Sequence, residues 1–228
     1  MCRDAWEISV KTSLSEGKVA VNAMTATAST DRTTHSGAME MAGALLAGAL
    51  ALIAYTRTLA PDLLYSDSAE FQTLAYTLDT THSTGYPIYL LLARLVGLVP
   101  IGTQAWRINF ASALSAAVAV GVTYLIIIRM TGSRWAGALG SGALALSYTL
   151  WTQAIIAEVY TPVLAVYTIC LLRLWEWQND APHRWRPLFT TALLVGLGLG
   201  IHASVGLLVP VVAVIAVTTL LRKPIVPG

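Results

Sequence analysis

Charged residues and cysteines are scarce in this sequence. Only 11% of its 228 residues are charged, whereas an average soluble domain has roughly 25%. The two cysteines, Cys2 and Cys170, lie far apart in the chain, so neither a disulfide framework nor a cysteine metal site is predicted. The net charge is only +2, and no Lys/Arg cluster alternates with aromatic residues. A nucleic-acid partner is therefore not expected.

Soluble nucleotide and zinc chemistry also lack their usual motifs. The sequence contains no glycine-rich phosphate loop after a strand, no HExxH and no CxxC. What it has in abundance is apolar residues, at 56% of the chain with a mean hydropathy of +0.65. This composition predicts an integral membrane protein that is surrounded by membrane lipids.

Three regions are expected along the chain. Residues 1–38 are rich in Ser, Thr and Ala, without sustained periodicity, and predict a disordered cytosolic tail. A signal peptide is not expected, because the first apolar segment begins only near Met41. Residues 39–223 form a predicted transmembrane module, and residues 224–228 a short C-terminal tail.

The apolar runs predict an all-α, polytopic bundle of about six spans. A hydrocarbon core of about 30 Å needs about 20 helical residues. Residues 86–99 are apolar but short, and they are bounded by Pro87 and Pro100, which is typical of an interfacial or re-entrant helix. The predicted spans are residues 39–58, 108–128, 135–151 and 160–174, and two further helices within 187–221 that separate near His202.

Charge asymmetry predicts the orientation of these spans. With six spans, eleven Lys and Arg residues fall on one side, and only Arg57, Arg94 and Arg107 fall on the other. The positive-inside rule then places both termini in the cytoplasm and the loop of residues 59–107 outside. The predicted location is the bacterial inner membrane, or the ER membrane in a eukaryote.

The outer loop begins with YSDSAEF, which holds Asp67 and Glu70 three positions apart. One interpretation is a surface helix that Ser66 or Asp67 caps, with Glu70 completing a capping box. The other is functional, because carboxylates beside a long apolar bundle are costly. The same face is expected to carry Glu158 and Tyr160, in AIIAEVYTP, and His202, in GLGIHASVGL. A buried histidine with satisfied hydrogen bonds is the alternative for His202.

Two further loop segments carry polar candidates. In THSTGYPIY, Gly85 and Tyr86 predict a tight turn before Pro87, and His82 is either a ligand or a structural histidine. In AWRINF, Arg107 and Asn109 stand where the chain re-enters the bilayer. Arg107 is either a snorkelling anchor or a contact for an anionic head group.

Five segments in this order resemble one family. They are YSDSAEF, HSTGYPIYLLLARL, AWRINFASALSAA, WTQAIIAEVYT and GLGLGIHASVGLLVP. Together, over roughly residues 42–221, they resemble the transmembrane protein O-mannosyltransferases and their bacterial relatives in the C-type (GT-C) glycosyltransferase superfamily. The resemblance implies a helical bundle whose first outer loop is acidic and contains partly embedded helices.

The resemblance also implies an activity. It is the inverting transfer of a sugar, such as mannose, from a polyprenyl or dolichyl phosphate donor to a protein or glycan hydroxyl on the extracytoplasmic side. Asp67 matches the family's essential acidic position and is the expected general base, with Glu70 as helper or alternative base. The remaining candidates are expected to bind substrate, among them Arg94, Arg107 and His202 at the phosphate; they are His82, Tyr86, Arg94, Arg107, Asn109, Glu158, Tyr160 and His202.

Other interpretations stay open. A transporter or binding protein for lipid-linked sugars would use the same acidic residues, although no internal repeat of the transporter kind is found. Family members usually continue beyond this point, so a fragment, a non-catalytic remnant or a minimal member that needs a partner subunit is also possible. Asp67 and Glu70 are too few ligands for a typical divalent cation site. Metal independence and no cofactor are therefore expected.

Overall fold

A computed structural model describes residues 37–81, 85–179 and 185–222 of the chain. Within these ranges the secondary structure is helical, with one isolated bridge between Thr81 and Gly85 and no strand. The predicted all-α class is confirmed. Residues 1–36, His82 and residues 223–228 lie outside the described residues. The predicted tails fall almost entirely in these undescribed parts.

The chain divides into two compact units, Met1–Ala42 and Gly43–Gly228. Only the start of the first helix is described in the first unit. The helices are α1 Gly37–Arg57, α2 Ser66–Thr77, α3 Pro87–Gly97, α4 Gln104–Thr131, α5 Arg134–Ala145, α6 Tyr148–Ala154, α7 Tyr160–Asn179 and α8 Arg186–Leu199, then a 3-10 helix Ala203–Leu207 and α9 Leu208–Arg222.

Three described stretches are long and apolar enough to cross a membrane: Gly37–Arg57, Gln104–Thr131 and Ala203–Leu221. The predicted count of about six spans is not confirmed. One predicted span is wrong as drawn, because residues 135–151 do not form a single helix. Ser147 has extended backbone (φ −65°, ψ 136°), and its hydroxyl accepts a hydrogen bond from the Leu150 amide. Ser147 is therefore the N-cap of α6, which begins as a helix separate from α5.

The second unit is organised around α4, which packs against α2, α3, α5, α6 and α7. Thr103 caps its first turn by accepting from the Trp106 amide, and Gly132 (φ 68°) ends it. Small residues let α1 approach this helix closely. A Cβ at Gly121 would lie only 2.9 Å from the Ala44 carbonyl oxygen. Close crossings of this kind are typical of helices in membranes.

The predicted break near His202 is confirmed. Helix α8 ends at Leu199, and His202 has extended backbone (φ −163°, ψ 141°) before the 3-10 helix begins. The Gly200 carbonyl accepts from the Ile88 amide at 2.9 Å. This bond fixes the turn at His202 against the first residues of α3, so distant parts of the sequence meet at one place.

Candidate active site

Helix α2 places both loop carboxylates in its first two turns. Asp67 is exposed and accepts a hydrogen bond from the Ser66 hydroxyl at 3.2 Å. The capping interpretation is not supported, because the helix begins after Tyr65 without any side-chain cap. Ser66 instead has φ 59°, a left-handed conformation that is unusual for a residue other than glycine. Backbone of this kind is concentrated at functional sites.

Glu70 is half-buried and is held by a residue from the far end of the loop. The Thr81 hydroxyl donates to Glu70 Oε1 at 2.5 Å. Thr81 is completely buried, and its bridge to Gly85 brings the chain back toward the start of α2. Gly85 (φ 74°) and Tyr86 (φ 40°) both have left-handed backbone, which turns the chain into α3. The predicted turn at Gly85 is confirmed.

Aromatic rings join this loop to the turn after α8. The Tyr86 and His202 rings stack with centroids 5.6 Å apart and planes 24° apart. Tyr160 approaches His202 from α7, at 6.0 Å between centroids. Phe71, one residue after Glu70, lies 5.8 Å from Tyr86 between ring centroids. Helix α2, the starts of α3 and α7 and the turn at His202 therefore meet here, and Asp67 and Glu70 lie within about one turn of Phe71 on α2. We call Asp67, Glu70, Tyr86, Tyr160 and His202 the outer-loop site.

The hydrogen bonds of His202 fix its neutral tautomer. Its Nδ1 lies 3.1 Å from the Ser204 amide nitrogen and 2.8 Å from the Ser204 hydroxyl. A backbone N–H is always a donor, so Nδ1 accepts, and the neutral ring carries its hydrogen on Nε2. The Ser204 carbonyl in turn accepts from the Tyr167 hydroxyl at 2.7 Å. His202 therefore offers an oriented N–H donor at Nε2.

Glu158 is positioned by its backbone. The Ser112 hydroxyl donates to the Glu158 carbonyl at 3.2 Å and accepts from the Glu158 amide at 3.1 Å. The buried Tyr89 ring lies against Phe71, with centroids 4.8 Å apart. Burial raises the pKa of the Tyr89 hydroxyl, and the Glu158 charge raises it further. The phenol therefore stays protonated between the outer-loop site and Glu158.

Asn109, a predicted substrate contact, lies in the second turn of α4. It is completely buried. Its Oδ1 accepts from Gln72 Nε2 at 2.7 Å, and its Nδ2 donates to the Ala60 carbonyl at 2.9 Å. Gln72 also accepts from the Leu64 amide at 3.1 Å. A buried amide with both ends occupied favours positioning of α2 over contact with a substrate.

Arg94 and Arg107 lie near the C-terminal end of α3, opposite to the end where Tyr86 meets His202. The Arg107 guanidinium donates to the carbonyls of Gly97, Ile101 and Gly102 at 3.1 to 3.4 Å. The Arg94 guanidinium carbon lies 4.9 Å from the centroid of the Tyr76 ring. Tyr86 precedes α3 and Gly97 ends it, so its 11 residues separate the two ends by about 16 Å at about 1.5 Å per residue. Neither arginine is grouped with His202.

Five of the ten predicted residues belong to the outer-loop site, four lie elsewhere in the described structure, and His82 lies outside the described residues. Sequence reasoning missed Thr81, Gln72, Tyr89 and Ser112, because single threonine, glutamine, tyrosine and serine residues carry no pattern that marks a long-range contact. Within the described ranges, no group of three or more His, Cys, Asp or Glu residues is placed to hold a metal ion. The predicted roles of the individual residues stay predictions.

The part of the chain that forms this site is also the part that is similar to known proteins. Residues 67–224 match the family described as the protein O-mannosyl-transferase TMEM260 N-terminal domain. The protein O-mannosyl-transferase TMEM260 of Mus musculus is 36% identical over 127 residues, which are 55% of this chain and 18% of that protein. Its counterpart from Dictyostelium discoideum is 27% identical over 112 residues, which are 48% of this chain and 14% of the relative. The chain therefore spans less than a fifth of either relative. No solved structure matches it.

Proposed function

Because the chain belongs to the family of the protein O-mannosyl-transferase TMEM260 N-terminal domain, we propose that it is the catalytic membrane module of a glycosyltransferase. The substrates are a polyprenyl or dolichyl phosphate sugar, with mannose favoured by the relatives' names, and a protein hydroxyl. The site faces the extracytoplasmic side, and both termini are cytoplasmic. The observation that carries the proposal is that α2, which holds both carboxylates, meets the turn of His202 through the Phe71 and Tyr86 rings.

The proposed reaction is a single displacement at the anomeric carbon. The acceptor oxygen forms a bond to this carbon while the bond from carbon to the phosphate oxygen breaks, and the phosphate leaves with that electron pair. The hydroxyl proton passes to the Asp67 carboxylate, which acts as general base. Asp67 suits this role because it is exposed at the start of α2, where an acceptor can reach it. Glu70, restrained by Thr81, orients the loop or serves as the second base.

The leaving phosphate needs hydrogen-bond donors rather than a proton. The Nε2–H of His202 is an oriented donor in the outer-loop site. Its hydrogen bond to the phosphate strengthens as negative charge develops on the leaving oxygen. Arg107 and Arg94 were predicted for this task, but Arg107 already donates to three carbonyls and Arg94 packs on Tyr76. We therefore assign the phosphate to His202, and the two arginines to stabilising the end of α3.

Transfer of labelled mannose tests the proposal directly. Membranes that contain equal amounts of wild type, Asp67→Asn, Glu70→Gln or Asp62→Asn are incubated with polyprenyl phosphate mannose and acceptor peptides. Loss of a general base lowers the rate by about 10² to 10⁴-fold, and we expect this for Asp67→Asn. Asp62 is an exposed carboxylate of the same loop that accepts from the next amide, so Asp62→Asn should retain transfer.

Two results would contradict the assignment. If Asp67→Asn transfers mannose as fast as the wild type, Asp67 is not the base. If wild type and Asp67→Asn bind the donor equally and neither forms product with any acceptor, a binding or transport role replaces the enzyme.

A further inference from the structure

A small pocket adjoins the outer-loop site behind Tyr160. It has a volume of about 250 Å³ and lies between α5, α6 and the start of α7. Its apolar walls are the side chains of Leu144, Leu150 and Leu164, and its polar members are Ser147, Thr149, Gln153 and Thr161. Tyr160 lines the pocket and also lies 6.0 Å from His202 between ring centroids, so it borders both.

Two of the pocket's polar side chains, Gln153 and Thr161, each have one buried polar atom without a hydrogen-bond partner among the described residues. Thr161 is completely buried, and the two atoms are its hydroxyl oxygen and Gln153 Oε1. Most other helical threonines that the structure describes donate to a carbonyl three or four positions back, as Thr168 does to Ala165 at 3.0 Å, although Thr219 does not. Thr161 lies in the first turn of α7, where the chain three and four positions earlier is not helical. Buried polar groups are usually paired, and Gln153 and Thr161 are the two such atoms, among the described residues, whose side chains line this pocket. A ligand in the pocket would supply the missing partners.

The lining defines the chemistry of that partner. No charged residue lines the pocket among the residues that the structure describes, which disfavours a phosphate or a carboxylate. Three serine or threonine hydroxyls and one amide favour a ligand with several neutral hydroxyls, while the leucine and tyrosine side chains favour contact with its C–H faces. Drug-sized ligands usually occupy about 300 to 1,000 Å³, so this smaller pocket suits a single ring. A pyranose has all of these properties.

We propose that Gln153 and Thr161 bind the sugar ring of the lipid-linked donor. This inference rests on the proposed function, in which His202 holds the phosphate. Because Tyr160 borders both the pocket and His202, a sugar in the pocket and a phosphate at His202 would be neighbouring parts of one donor. Gln153 Oε1 accepts from one sugar hydroxyl, and the Thr161 hydroxyl pairs with another. These residues thereby select a sugar-bearing lipid over the bare lipid phosphate.

Ligand binding to the full chain in detergent tests this assignment. Dissociation constants are measured from shifts of the thermal unfolding midpoint with polyprenyl phosphate mannose, with bare polyprenyl phosphate and with an acceptor peptide. Thr161→Val and Gln153→Leu should weaken mannosyl lipid binding about five- to tenfold, which is typical for one lost hydrogen bond. Binding of the bare lipid should not change. The dissociation constant for the bare lipid divided by that for the mannosyl lipid, which measures the preference for the sugar, should therefore fall.

Two controls separate lost hydroxyls from lost folding. Thr161→Ser keeps the hydroxyl and should keep the preference for the mannosyl lipid. Thr168→Val removes a hydroxyl that is already bonded within the same helix, and it should change neither constant.

Several outcomes would overturn the inference. They are equal weakening for both lipids, no weakening in either variant, or weakening confined to the acceptor peptide. A wild type without preference for the mannosyl lipid would also overturn it. These outcomes are separate from a failure of transfer, since a protein that never transfers mannose can still prefer the mannosyl lipid.

Discussion

At the scale of single residues, the buried pair of Gln72 and Asn109 ties the acidic loop to the longest helix. Asn109→Ala leaves Gln72 Nε2 and the Ala60 carbonyl without their partner, at a cost of about 1 to 3 kcal/mol for each unsatisfied group. We therefore expect a clear fall in the thermal unfolding midpoint in detergent. The apparent affinity of the remaining folded protein for donor should change little.

Gln104 is the matched control for this prediction, because it is an exposed amide in the first turn of the same helix. Gln104→Ala should leave the midpoint nearly unchanged. If Asn109→Ala instead weakens donor binding while the midpoint stays constant, Asn109 contacts substrate as the sequence suggested.

At the scale of helices, the crossing of α1 and α4 depends on the absence of a side chain at Gly121. The added Cβ of Gly121→Ala would press on the Ala44 backbone oxygen at 2.9 Å, and only a shift of the whole helix relieves this. Overpacking of this kind typically costs about 1 to 3 kcal/mol. We expect Gly121→Ala to lower resistance to thermal inactivation.

Gly196→Ala is expected to have the opposite effect. Gly196 lies inside α8, and no described atom lies within 4 Å of an added Cβ. Alanine is the better helix former, by about 0.8 to 1.0 kcal/mol in water. If Gly121→Ala stabilises the protein as much as Gly196→Ala does, the crossing of α1 and α4 tolerates a methyl group at Gly121.

At the scale of the whole molecule, the orientation in the membrane follows from charge and stays a prediction. Helix α4 is 28 residues long, so its two ends lie on opposite sides of any membrane that it crosses. In a background without Cys2 and Cys170, a membrane-impermeant thiol reagent should label Asp79→Cys in intact cells or sealed vesicles with the extracytoplasmic face outward. Arg134→Cys should be labelled only after permeabilisation, and labelling of both residues from one side would contradict the topology.

The family assignment and the helical class were available from sequence alone. The order of the motifs from YSDSAEF to GLGLGIHASVGLLVP indicated the family, and the match over residues 67–224 confirms it. Apolar runs predicted spans over residues 39–58 and 108–128, where the structure has the apolar helices Gly37–Arg57 and Gln104–Thr131, because hydropathy and length depend only on local composition. The break at His202 was also local, since one helix could not be that long.

Tertiary structure decided which polar residues meet. Arg107 and His202 were equal candidates for the phosphate in sequence, and only the packing of α3 places one beside Tyr86 and the other near Gly97. In the same way, Thr81 reaches Glu70 and Thr161 faces the pocket through contacts between distant segments. Periodicity and composition report the environment of a residue along its own helix. The partner of a side chain across the bundle depends on how all the helices pack, and a single sequence does not reveal that packing.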